Sequence, residues 1–129
     1  MVVPKGFDWH WLLGDETALP AIARRLAELP VSAVATVRIQ LNNPADQRTL
    51  ASAAQVDLQW VSVLPAAVEA LTLPPGAGFV WAAGEHSDMA AVRRTVLAKP
   101  GVDPKRMRIS AYWKRGAADH HEDLVSAAG

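Results

Sequence analysis

Short apolar runs of strand character recur along this chain, and the segment after most of them has a helical period. Trp9 to Leu13 is the first run, and it stops at Gly14. A run without polar alternation belongs to a strand covered on both faces. From Thr17 to Leu29 the period changes. Leu19, Ile22, Leu26 and Leu29 fall at helical spacing, with Arg24, Arg25 and Glu28 off that stripe. Pro20 is tolerated because the first turn loses no intrahelical N–H bond, and Pro30 marks the stop.

The alternation continues. Ala33 to Leu41 reads as a second strand, closed by the turn signal Asn42-Asn43-Pro44. Residues 45–55 read as a loop with a helical turn, and Val56 to Val63 as a third strand. Ala66 to Leu71 reads as a short helix and Gly78 to Ala83 as a fourth strand that stops at Gly84. A helix over Ser87 to Ala98 and a last strand over Met107 to Trp113 follow, then a polar tail from Gly116. Strands alternating with helices predict a single α/β domain. Its mostly parallel sheet has about five strands and helices on both faces, with residues 1–8 a lead-in and 117–129 a tail. Such sheets bind ligands outside the carboxyl ends of the strands, where the strand order reverses. Two strands stop at glycine, Gly14 and Gly84, and those ends are the candidate site.

Composition removes several classes of function. There is no cysteine, hence no disulfide framework, thiolate metal site or iron–sulfur cluster. Thirteen basic and thirteen acidic residues cancel, so the cationic surface of a sequence-blind nucleic-acid binder is missing. No apolar stretch approaches the roughly 20 residues that span a bilayer. The start, Met1-Val-Val-Pro-Lys, carries no apolar run with a small-residue cleavage site. The expectation is a cytoplasmic protein that engages neither membrane nor nucleic acid.

The turn after the first strand is Gly14-Asp15-Glu16-Thr17-Ala18. A glycine there admits close approach of a ligand, and a helix starting at Thr17 or Ala18 aims free N–H groups at the same space. That is an arrangement for an anion such as a pyrophosphate. Against it stand the carboxylates of Asp15 and Glu16, and Asp15 or Thr17 can instead simply cap the helix. Both readings stay open on spacing alone.

Other eye-catching residues carry less. His120-His121, flanked by Asp119 and Glu122, invites a metal, but adjacent residues on an extended tail point in opposite directions, so no metal site is expected. His10 reads as a hydrogen-bonded strand residue, and His86 begins a helix beside Gly84. Trp9 and Trp11 share a strand face. Trp60, Trp81 and Trp113 read as core, with Trp81 or Trp113 at the cleft as the alternative. Arg24-Arg25, Arg93-Arg94 and Lys105-Arg106 read as solvated faces. No Ser–His–Asp set, P-loop lysine or opposed carboxylate pair is present, so no catalytic residue is assigned.

Three strings in order are more telling: GDETALPAIARRL at 14–26, VWAAGE at 80–85 ahead of Arg93-Arg94, and ISAYWKRG at 109–116 followed by DHHE at 119–122. Together they resemble the C-terminal domain of the siderophore-interacting proteins, flavin-dependent ferric-siderophore reductases similar to ferredoxin–NADP reductases. The resemblance implies a Rossmann-like domain that binds NADPH or NADH and passes hydride to FAD on an N-terminal barrel, which then reduces a ferric siderophore. It implies that Gly14, Asp15, Glu16, Thr17 and Ala18 form the pyrophosphate loop. Gly84, Glu85 and His86 would line the nicotinamide side, and Lys114 and Arg115 would attract the anionic siderophore. Residues 1–8 cannot form a barrel, so a flavin domain supplied in trans, or one missing from this sequence, is the implied partner. The His-Arg pair common in the family just after the third strand is missing from Trp60-Val61-Ser62-Val63-Leu64-Pro65, which weakens NADPH over NADH; Arg38 and Arg48 are candidates to take its place. The alternatives are a stand-alone nucleotide- or siderophore-binding module without redox activity, and a protein that covers the vacated flavin face as a homodimer.

Overall fold

The computed structural model describes residues 6–116 and the backbone of 122–126. The sheet order is β3-β2-β1-β4-β5-β6. The strands are β1 (Trp9–Asp15), β2 (Val34–Gln40), β3 (Gln55–Val61), β4 (Gly78–Glu85), β5 (Met107–Trp113) and β6 (Glu122–Ser126). The first five are parallel. The sixth pairs antiparallel with β5, so part of the segment read as a polar tail is an edge strand. His120 and His121 lie outside the described residues.

The helices are α1 (Leu19–Glu28), α2 (Leu64–Glu69) and α3 (His86–Leu97). The chain moves one way across the sheet from β1 to β3, then crosses back to β4 on the other side of β1. Right-handed crossovers put helices on opposite faces when the direction reverses. Packing follows that rule. Leu12, Val37, Ile39 and Trp81 face Ile22 and Leu26 of α1, with Leu50 and Ala54 of the β2–β3 connection on the same side. Trp11, Leu13, Val80 and Ile109 face Val68 of α2 and Met89, Val92 and Val96 of α3. Trp9 and Trp11 share that second face, their ring centroids 5.5 Å apart. β1, at the centre, is buried along its whole length, in keeping with its largely apolar run of Trp9, Trp11, Leu12 and Leu13.

Two differences from the sequence reading matter for the site. Strands β1 and β4 do not stop at their glycines but run on through Asp15 and Glu85. A 3-10 turn at Glu16–Ala18 then precedes α1. Asp15 and Glu85 are therefore the last residues of the two strands that flank the reversal.

Arg25 also departs from the sequence reading. It does not lie on a solvated face: it is 7% exposed, with its guanidinium 4.7 Å from the centroid of Trp81. The cation rests on the π face while its stem packs against the sheet. His10 is also buried, and burial first and then the Arg25 charge lower its pKa. Phe7 meets its ring edge-on at 6.1 Å.

Candidate functional site at the strand-order reversal

The carboxyl ends of β1 and β4 lie side by side, Gly14 opposite Ala83. Asp15 is the hub. Its Oδ1 accepts from the Thr17 amide at 3.0 Å and from the Thr17 hydroxyl. Its Oδ2 accepts from the Glu85 amide and from the Trp113 indole N–H, each at 3.0 Å. One carboxylate thus joins the ends of β1, β4 and β5 and caps the 3-10 turn. Asp15 is 8% exposed, and four donors compensate its desolvation.

The glycines serve this arrangement. A Cβ on Gly84 would stand 2.8 Å from Asp15 Oδ2 and 3.3 Å from Met89 Cε. A Cβ on Gly14 would stand 2.7 Å from Ala18 Cβ and 2.8 Å from the Ala83 carbonyl oxygen. The space left by each missing side chain is filled by the protein's own atoms.

Glu85 is the second buried carboxylate, with no exposed surface. It caps α3, its Oε1 accepting from the Asp88 amide at 3.0 Å. Its Oε2 accepts from the Arg115 amide at 3.3 Å, and the Arg115 guanidinium approaches Oε1 at 3.8 Å. Burial alone would raise its pKa, but the amides of Ser87, Asp88 and Arg115 and the Arg115 charge hold it below the ordinary value. Asp88 behaves oppositely: burial first, and then the negative charge of Glu85, raise its pKa. The Arg115 guanidinium also lies 5.8 Å from the centroid of Trp113. Trp113-Lys114-Arg115 is therefore held through Asp15 and Glu85 together.

The remaining candidates fall around this core. Glu16 is exposed, and its Oε1 accepts from the Asn42 amide at 2.9 Å, tying the 3-10 turn to the end of β2. Ala18 is buried against Gly14, and His86 is the first residue of α3. Lys114 is exposed beyond β5. Arg38 is committed elsewhere: it is 6% exposed, pairs with Asp57 at 3.3 Å and donates to the Val37 and Asp57 carbonyls. It is not free to receive a 2′-phosphate, whereas Arg48 lies exposed in the β2–β3 connection.

Sequence reasoning did not foresee the bonds from Asp15 to Glu85 and Trp113. Those partners are 70 and 98 residues away, and no local spacing links them. Nor did it single out Asp88. Among the described residues no cluster of three or more His, Asp or Glu side chains could hold a metal ion, and no helix is long and apolar enough to cross a membrane.

A diphosphate fits this turn only in part. The Thr17 amide and hydroxyl, the donors a pyrophosphate would use, both point at Asp15. The Leu19 amide is bound to the Glu16 carbonyl. With Asp15 in place, the inner donors of the turn are not offered to a ligand.

The comparisons with known proteins are consistent with one another. The chain is 29% identical to the ferric vibriobactin reductase ViuB of Vibrio cholerae, covering 90% of this chain and 47% of the relative. It is 28% identical to the NADPH-dependent ferric-chelate reductase of Escherichia coli, covering 88% and 47%. A siderophore utilization protein from T. fusca superposes with a TM-score of 0.80 at 30% identity, covering 92% of this chain and 49% of that one. The chain thus spans about half the length of the curated relatives it matches. The family model for siderophore-interacting proteins matches residues 7–116, and the chain belongs to that family.

Proposed function

We propose that this chain is the NAD(P)H-side half of a ferric-siderophore reductase and that it works in the cytoplasm. The dinucleotide would supply hydride, and FAD on a separate domain would receive it; the chemistry belongs to the cofactors and the protein contributes binding and orientation. Family membership and the names of the two reductase relatives support the reading. The observation that carries it is the strand-order reversal between β1 and β4, which sets Gly14–Ala18 beside Gly84–His86. Under this reading the first group meets the diphosphate, the second the nicotinamide, and Lys114 with Arg115 the anionic ferric siderophore.

Calorimetry with NADH, NADPH and ADP-ribose tests the binding half of the proposal. Reduction of a ferric siderophore with a flavin domain supplied in trans tests the rest. Binding and turnover above the flavin-only control are expected; no turnover with a competent flavin partner contradicts the reductase reading. The alternative reading is a module that binds a nucleotide or siderophore without redox turnover. Binding in the first experiment with none of the second activity would select it.

A further inference from the structure

We propose that Asp15 acts as the domain's internal anion, holding the donors a dinucleotide diphosphate needs until the ligand displaces it. The inference rests on the nucleotide reading above.

Three observations carry it. First, all four bonds to the Asp15 carboxylate come from donors that carry no charge: the Thr17 amide and hydroxyl, the Glu85 amide and the Trp113 indole. A site of neutral N–H and O–H donors at the start of a helical turn is what a phosphate oxygen also seeks. Second, Gly84 leaves the room in which the carboxylate sits, since a Cβ there would stand 2.8 Å from Oδ2. Third, the Arg115 guanidinium, the cation of this cluster, is directed at Glu85 and Trp113. A diphosphate entering this turn therefore meets a fixed negative charge and must replace its bonds.

The consequence is quantitative. A ligand that needs a minor, open arrangement binds more weakly by the fraction of time that arrangement is populated. Removing the charge of Asp15 removes both the competitor and the repulsion. Loosening its hold on β5 without changing charge does so more weakly.

The experiment uses the full chain, Asp15→Asn and Trp113→Phe. NADH, ADP-ribose and inorganic pyrophosphate are the probes in calorimetry, and the Trp113 indole N–H is followed in 15N–1H spectra. The Trp113→Phe spectrum identifies the indole peak. Asp15→Asn is expected to bind the three probes about tenfold tighter than the parent, and Trp113→Phe about twofold to threefold tighter. In the parent, saturation with NADH is expected to move the Trp113 indole resonance as it loses the Asp15 bond. Parent and folded Asp15→Asn binding with equal affinity, and an indole peak that stays put at saturation, would overturn the proposal. If Asp15→Asn does not fold, by the dispersion of its spectrum, the decision passes to Trp113→Phe and the parent indole shift. Failure of the nucleotide reading looks different: neither the parent nor any folded variant binds NADH, ADP-ribose or pyrophosphate at all.

Discussion

The chain makes the same local turn twice. At 14–15 and at 84–85 a glycine and then an acid end a strand, and a helical segment begins at the next residue. The two acids do different work. Glu85 looks forward, capping α3 and pairing with Arg115, so its buried charge has a cation beside it. Asp15 looks sideways, reaching the next strand and the one beyond it, and four uncharged donors hold it. A carboxylate with its own counter-charge is a structural cap. A carboxylate held by neutral donors at a strand-order reversal occupies ground that an incoming anion would also claim. The same glycine–acid pair therefore makes a fixed element in one turn and a displaceable one in the other.

The largest expected effect separates the two glycines. Gly14→Ala drives a Cβ to 2.8 Å from the Ala83 carbonyl oxygen, and a backbone atom in the middle of a sheet has nowhere to go. A loss of about 1–3 kcal/mol is expected, read as a lowered urea midpoint. Gly84→Ala meets the Asp15 carboxylate instead, which can swing away. Its loss of stability should be smaller, and in the parent background it should mimic Asp15→Asn in ligand binding. Equal destabilisation by the two substitutions would erase the distinction between the turns.

Next comes the pH response at the Glu85 turn. Its folded pKa is depressed below its ordinary value of 4.5. The stabilisation it contributes is therefore fully present above that value and is lost as pH falls through the lower folded value. Asp88, with a raised pKa, opposes this, because it costs stability once ionised. Comparing Glu85→Gln with the parent isolates the first contribution. The parent should lose more stability than the variant between about pH 5 and pH 3. Parallel denaturation midpoints across that range would mean that Glu85 is not held ionised by its amides and Arg115.

The smallest effect should come from Thr17→Ala. It deletes the hydroxyl bond to Asp15 but leaves the amide bond that caps the turn. A loss of about 0.5–1 kcal/mol is expected in chemical denaturation. A larger loss would make Asp15 as rigid a cap as Glu85.

Much of this fold was legible in the sequence. The largely apolar run Trp9 to Leu13 predicts the central, doubly covered strand, and β1 is that strand. The 19-22-26-29 stripe predicts the face of α1 that packs on the sheet. The antiparallel β6 was missed because Asp119 to Asp123 are all polar and leave only Leu124 and Val125 as an apolar pair, and an edge strand needs no apolar run. Arg25 was misplaced because periodicity treats every arginine as solvent-seeking, and the Trp81 ring that receives it is 56 residues further along the chain. The site was legible as a place, the ends of β1 and β4, but not as a set of bonds. Capping and anion binding draw on the same N–H groups, so the residues of the turn alone could not decide between them. The decision came from Glu85 and Trp113, which only the folded sheet brings to Asp15.

Amide hydrogen exchange at Thr17 and Glu85, compared between the parent and Asp15→Ala in the absence of ligand, tests the central claim most directly. Both amides should be protected in the parent, and both should exchange faster in the variant while the amides of Leu12 and Ala82 at mid-sheet keep their protection. Fast exchange at both positions in the parent, unchanged by the substitution, would mean that Asp15 does not hold them and that the turn stands open.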